Sequence, residues 1–269
     1  MAALFRFSVQ HTGQIVLRDV TTGTENVLAL TMDSGYDHHI IKGAYDIVYQ
    51  HRQGENVPQN KNALIAEGQI IKGAVTIDVN VPSRLYGASV FHNGLLFPAS
   101  AQQMGNILLR NPDSGDLLFF GKTSLQNLSA LVVPGTYDVY YSHLNGVEVP
   151  QNQMARFQED LVVAAPGPYI QMGEGPEFHV NSVQITGQML MNDSPMPASE
   201  FDDGLLSIVW EEDSVLLGNT NYQTYQVRVL NDPDWNDFWI HYEVQSPGDT
   251  IPINEDARFK CMRLEPLLF

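Results

Sequence analysis

One stretch of sequence is written three times in this chain, and a fixed long period restricts the fold to tandem copies of one unit. Gly43 opens GAYDIVYQHRQGENVPQNKNA, Gly135 opens GTYDVYYSHLNGVEVPQNQMA, and Phe238 opens FWIHYEVQSPGDTIPINEDA. Gly13 and Gly105, Gly23 and Gly115, Tyr45 and Tyr137, and Ala63 and Ala155 each stand 92 residues apart. The third copy follows with small changes of length, Pro98 and Pro197 being 99 apart and Pro150 and Pro252 being 102 apart. The 269 residues therefore divide into units of about 90, with boundaries expected at 1–72, 73–164 and 165–269. Units of that size lie toward the marginal end of independent folding, so neighbours are expected to support one another.

The repeated vocabulary is that of strands and turns. In the middle copy, Thr76 to Val81 alternates apolar and polar residues as a half-buried strand does. LYGASVFH then runs into Asn93-Gly94, whose residues both tolerate positive φ and so suit a two-residue hairpin. NPDSGD (Asn111 to Asp116) is a turn between the short strands NILLR and LLFFGKT. Pro134-Gly135 is another turn, and TYDVYYSHL is a strand with Tyr137, Val139 and Tyr141 on one face. QNKNALIAEG and QNQMARFQED could each hold one helical turn, but their apolar residues fit a period of two as well. Short strands with turns every eight to twelve residues predict an all-β chain of three tandem antiparallel β-sandwich units.

The phrase PGTYDVYY, after a Thr-Gly or Ser-Gly hairpin and an LVV strand, resembles the carboxypeptidase-regulatory-like, transthyretin-like and collagen-adhesin B-type modules. The residues that carry this are Pro134, Gly135, Tyr137 and Val139, with Arg18 to Gly23 as the hairpin. The wider pattern is similar to tandem repeats of large bacterial secreted or surface proteins. The resemblance implies a prealbumin-like sandwich, an extracellular or cell-surface setting, a structural or adhesive role, and no catalytic residues. The third copy departs from it, carrying NDPDWNDFW in place of PGTY.

The first copy is short at its start. At the 92-residue offset Leu4, Phe5, Ser8 and Gln10 fall on Leu96, Phe97, Ser100 and Gln102, so Met1 lies where the Asn93 turn begins. The first unit is thus expected to lack the opening strand that the others carry at 76–92 and 177–191. Such a sheet has an open edge of unpaired backbone groups, to which another module or a copy of the same chain can add a strand and build a filament.

Composition narrows the chemistry. Thirty-one acidic against 14 basic residues give a net charge of −17, which repels phosphate backbones and argues against nucleic-acid binding. No run approaches the ~18 apolar residues of a membrane helix. Cys261 is the only cysteine, which excludes an intramolecular disulfide, and its setting suggests a small buried hydrophobe. His38 and His39, being adjacent, point to opposite faces of any strand and so do not chelate one ion together. Ser100 and Ser199 lack the flanking glycines of a nucleophile elbow. Residues shared by all copies (Pro58, Pro150 and Pro252; Asn60, Asn152 and Asn254; Ala63, Ala155 and Ala257) read as common turn geometry.

What is unique lies in the third copy, which holds all three tryptophans and three acidic clusters, one of them Glu211, Glu212 and Asp213. Asp232, Asp234 and Asn236, together with Asp202 and Asp203, are hard oxygen donors on expected loops, the chemistry of a calcium site. Asp237 stands where a calcium helix-loop-helix needs glycine, so only a looser loop site fits. Trp235, Asp237 and Trp239 form a candidate aromatic platform for a sugar ring, with Trp210 and Trp239 competing for places in the core. Three expectations follow: a non-enzymatic structural or adhesive array, a self-assembling filament subunit, or a calcium-dependent carbohydrate-binding module.

Overall fold

The computed structural model describes residues 10–33, 35–164, 175–191, 193–210, 213–230, 237–246 and 257–262, with backbone alone at 237, 238, 246 and 257–262. The described chain is all-β, built from several small, mainly antiparallel sheets, and contains no α-helix. The two segments that could have held a helical turn, Ala63–Ile71 and Ala155–Val163, are strands.

In the first repeat the strands are β1 (Thr12–Asp19), β2 (Glu25–Leu30), β3 (Gly43–Gln53) and β4 (Ala63–Ile71). The second repeat contributes β5 (Arg84–His92), β6 (Leu95–Leu96), β7 (Met104–Arg110), β8 (Leu117–Lys122), β9 (Asn127–Val132), β10 (Gly135–Asn145) and β11 (Ala155–Val163). To the third belong β12 (Glu177–His179), β13 (Ser182–Gln188), β14 (Leu190–Met191), β15 (Ser194–Pro195), β16 (Asp203–Val209), β17 (Ser214–Asn219), β18 (Thr224–Leu230), β19 (Asp237–Ser246) and β20 (Ala257–Met262).

Each repeat makes one four-stranded sheet in the same order: β2-β1-β3-β4, β8-β7-β10-β11 and β17-β16-β19-β20. A close approach of backbone and ring explains the fixed spacing of Gly13 and Gly105. A Cβ on Gly13 would run into the ring of Tyr49, one on Gly105 into Tyr141, and one on Gly204 into Tyr242. The same glycines donate their N–H to a threonine hydroxyl, Gly13 to Thr31 (3.0 Å), Gly105 to Thr123 (2.9 Å) and Gly204 to Thr220 (2.9 Å). Only glycine leaves room for that ring and that bond together.

The second repeat has a further sheet in which β5 lies between β9, antiparallel, and β12, parallel. Asn93 and Gly94 have φ of 49° and 79°, the paired positive values expected of the hairpin turn that leaves β5. Tyr86, Ala88 and Val90 of β5 are buried with Ile107, Leu109, Tyr137, Val139 and Tyr141 of the four-stranded sheet, so the two sheets share one core. Phe178, carried by β12, is also fully buried in it. In the third repeat β13 pairs with β18 as β5 pairs with β9.

Thr76–Val81 departs from expectation. It makes no strand ladder, although Ile77, Val79 and Val81 pack against the first repeat's core with the alternation that suggested a strand. The alternation reflects one-sided burial; a ladder needs a neighbouring strand as well, and none of the described residues supplies it.

Candidate functional site

Two kinds of site emerge from aligning the repeats: a side-chain lock at each junction, and a pair of clefts among the described residues of the first repeat.

The locks use the asparagine that each copy carries two residues after its proline. Asn60 Nδ2 donates to Asp116 Oδ2 (2.7 Å) and lies 2.9 Å from the Tyr137 hydroxyl, while its Oδ1 accepts the backbone N–H of Val133 (2.8 Å). Asp116 Oδ1 accepts the N–H groups of Lys61 (2.8 Å) and Asn62 (2.6 Å). Gln59 N–H adds a bond to Leu131 O (2.8 Å). At the next junction Asn152 Nδ2 donates to Asp213 Oδ2, and Asn152 Oδ1 accepts from Leu230 N–H (2.7 Å). Asp213 Oδ1 accepts Met154 N–H (2.7 Å), and Gln151 N–H reaches Arg228 O (2.7 Å). The two asparagines therefore bind the repeat that follows, beyond the turn geometry expected of them. The turn itself is held by the proline, whose carbonyl accepts from Tyr49 and His51 in the first copy and from Tyr141 and His143 in the second.

Asn60, Asn152 and Asp116 are nearly or fully buried. Burial raises the Asp116 and Asp213 carboxyls above their ordinary range, against the opposing pull of the asparagine and backbone donors. Every acceptor in each lock is met by a donor, the condition under which buried polar groups specify one arrangement instead of costing stability. Around the locks the cores run on: Val133 belongs to the first repeat's apolar cluster and Leu230 to the second's. The first repeat lacks the acceptor half of this device, with Thr24 at the hairpin position of Asp116; both close the hairpin with the same backbone bond, Asp19 N–H to Thr24 O (2.9 Å) and Asn111 N–H to Asp116 O (2.8 Å). Ile41, in the place of Val133, is 83% exposed.

The clefts lie between residues 35–40 and 76–81. By the 92-residue offset, Gly35 to Ile40 correspond to β9, and Ile77-Asp78-Val79-Asn80 match Phe178-His179-Val180-Asn181 around β12. Where β5 runs between those elements in the second repeat, the first has two adjoining clefts of about 440 and 340 Å³. Ile15, Ala29, Leu30, Tyr49, Val57 and Val79 line the larger, and Leu17, Leu28, Ile40 and Ile71 the smaller. Tyr36 and Ile77 border both, and the Tyr36 hydroxyl donates to the Ile77 carbonyl (2.7 Å) across the gap.

The residues singled out from sequence fall elsewhere. Asp232, Asp234, Trp235 and Asn236 lie outside the described residues, as do Glu211, Glu212, Pro252 and Asn254; Asp237, Ala257 and Cys261 are described by backbone alone. Asp202 and Asp203 are buried, and Asp203 Oδ2 accepts from Asn219 Nδ2 (2.6 Å). Their charges reinforce the burial that raises the Tyr242 hydroxyl's pKa. Trp239 is 40% exposed, not in the core, because it takes the outward parity of β19 while Tyr242 takes the inward one. Asp203 pairs with Ser246 and Val209 with Trp239, so Asp202 and Asp203 stand at one end of the sheet and Trp239 at the other. Those ends are about 20 Å apart at the rise of a strand. Among the described residues no three His, Cys, Asp or Glu side chains converge as a metal site would require. No described helix is long and apolar enough to cross a membrane.

Neither a scan of protein-family models nor a search of curated proteins returns a match to this chain.

Proposed function

We propose that the chain is a non-enzymatic array of three β-sandwich units, locked end to end, that acts as a structural or adhesive part of an extracellular or cell-surface protein. The observation that carries this reading is the recurrence of one buried Asn-to-Asp lock at both junctions, with the same backbone partners each time. A lock repeated along a chain fixes the angle between successive units, which is what a spacer needs and a flexible string of domains does not provide. The acidic surface suits a dispersed, solvated rod. The repeated-strand vocabulary and the resemblance to prealbumin-like surface modules support the setting.

Small-angle scattering tests the reading. A single compact body of 269 residues has a radius of gyration of about 18 Å. An array must exceed that clearly and keep its value as salt is raised. A value near the compact figure would overturn the proposal.

A further inference from the structure

We propose that the third repeat binds a hard divalent cation, calcium, where the start of β16 meets the turn after β17, with Asp203 and Asn221 as inner ligands and Asp202 beside them. The inference stands apart from the rod reading.

Two other buried aspartates show what a carboxylate needs inside this chain. Asp116 has both oxygens met by donors, Oδ1 by the N–H groups of Lys61 and Asn62 and Oδ2 by Asn60. Asp138 accepts the Asp160 N–H on Oδ1 and the Arg156 guanidinium on Oδ2. Asp203 is buried to the same degree, at 6% exposure. Its Oδ2 accepts from Asn219 Nδ2 (2.6 Å), but its Oδ1, shut off from solvent, meets no donor among the described residues. Asn221 Oδ1 is shut off in the same way and also meets no donor among them. A carboxylate oxygen held away from water is costly unless a positive partner stands against it, and among the described residues no lysine or arginine pairs with Asp203.

The two oxygens belong to neighbouring positions. Gly105 bonds Thr123 as Gly204 bonds Thr220, which aligns Asp203 with Met104 and Asn221 with Ser124. In the second repeat that pair is in contact, Ser124 Oγ lying 3.8 Å from Met104 Sδ. In the third, Asn219 draws the same positions together. Its Nδ2 donates to Asp203 and its Oδ1 accepts the Asn221 N–H (2.9 Å), capping the 3-10 turn Thr220–Tyr222. Asp202 is buried alongside, at 8% exposure. The charges of Asp202 and Asp203 both add to burial in raising the Tyr242 hydroxyl, so the two carboxylates act on one spot. Tyr242 is not counted as a ligand, because Pro252, counterpart of the prolines that take the Tyr49 and Tyr141 hydroxyls, lies outside the described residues.

The contrast between repeats narrows the chemistry of the ion. Where the third has Asp202, Asp203, Asn219 and Asn221, the second has Gln103, Met104, Lys122 and Ser124, and the first has His11, Thr12, Leu30 and Met32. The third alone gathers four side chains with hard oxygens, two of them anionic, and neither sulfur nor imidazole. That set suits calcium, which takes carboxylate, amide, backbone and water oxygens and so needs no third acidic side chain. Bound there, the ion would pin the start of β16 to the turn that follows β17.

The test is calcium chloride titrated by calorimetry into the full chain after treatment with chelator. A chain of net charge −17 gathers cations loosely over its surface, so the decisive reading is a saturable one-to-one site and its loss on substitution. We expect Asp203→Met with Asn221→Ser, the pair of the second repeat, to weaken calcium binding at least tenfold. Asp203→Asn, which keeps the shape, should do the same. Asp232→Asn with Asp234→Asn, in the acidic stretch also marked by sequence, should leave binding unchanged. Melting adds a reading on folded protein. In chelator the Asp203→Met, Asn221→Ser chain should melt no lower than the unsubstituted one, whereas calcium should raise the unsubstituted chain and leave the variant where it was. Equal binding by the unsubstituted and Asp203→Asn chains, or loss of binding in Asp232→Asn with Asp234→Asn, would overturn the proposal. Absence of saturable binding would overturn it too, and would mean that Asn221 turns its Nδ2 to Asp203 and the two pair directly.

Discussion

The first and second repeats share a sheet order, a glycine under a tyrosine, and the same proline turn, yet they treat equivalent residues in opposite ways. Val133 is 5% exposed and Ile41 is 83% exposed. Leu128 is buried, whereas Tyr36 reaches over open clefts. Phe178 is sealed beneath β5, and its counterpart Ile77 is only partly buried. The local sequence differs at 35–40, GYDHHI against NLSALV in β9, and so does the neighbour that covers it. A preceding repeat covers Val133, and an opening strand covers Leu128 and Phe178. Burial at these positions depends on elements remote in the chain as well as on the residues themselves.

The largest test of that contrast is a matched truncation. Phe178→Ala should cost about 3–5 kcal/mol by emptying a closed core, while the partly buried Ile77, at the border of two open clefts, should cost no more than about 2 kcal/mol as Ile77→Ala. Urea unfolding followed by tyrosine and tryptophan fluorescence measures both. Equal costs would mean that the clefts beside Ile77 are closed in solution.

Next come the locks. Asn60→Ala strands Asp116 Oδ2 and Val133 N–H in a buried setting, at about 1–3 kcal/mol for each group. Asn152→Ala should behave alike at the second junction. Asp116→Asn turns an amide towards the Asn60 amide and should approach the same loss. In each case hydrogen exchange should rise at both sides of the affected junction and stay unchanged at the other.

A smaller effect separates the repeats by pH. His51 and His143 have pKa values below the ordinary 6.5 because burial disfavours their charged form. The unfolded chain then protonates first, so stability present above about pH 6.5 is lost as pH falls toward the folded values. Val244 occupies the equivalent place in the third repeat. Acidification from pH 7 to 5 should weaken the first two repeats relative to the third, and His51→Gln with His143→Gln should reduce the difference in melting, leaving the part due to His92, which burial shifts the same way.

The smallest effect is expected at Ile41→Ser, within about 0.5 kcal/mol, against about 1–3 kcal/mol for Val133→Ser. A large loss at Ile41 would show that something covers it in solution.

Much of this was readable from the letters. Strict alternation in TYDVYY placed Tyr137, Val139 and Tyr141 inward, and the structure buries all of them. Asn93-Gly94 marked its hairpin because few residue pairs adopt two positive φ values. The same parity argument, carried to β19 from Tyr242, would have put Trp239 outside; its size suggested the core instead. The locks were half visible. The asparagines stood out by repetition, and their partners Asp116 and Asp213 stand at the hairpin position where the first repeat has Thr24. That correlation is a sequence signal for a junction, but it gains meaning only once the hairpin bearing the aspartate is known to meet the preceding turn.

By itself, the sequence determined the period, the all-β character, the turns and the inward face of the central strands, because these depend on residues a few positions apart and on steric limits of φ and side-chain parity. Only the tertiary structure decided that the shared asparagines bind across junctions, that Thr76–Val81 packs without a ladder, and that two clefts open beside Tyr36 and Ile77 in the first repeat. Those outcomes depend on which surfaces meet, between residues such as Asn60 and Val133 that lie 73 positions apart. Backbone hydrogen-bonding groups are the same at every residue, so a strand's letters specify its faces and leave its edge partners to the assembled fold.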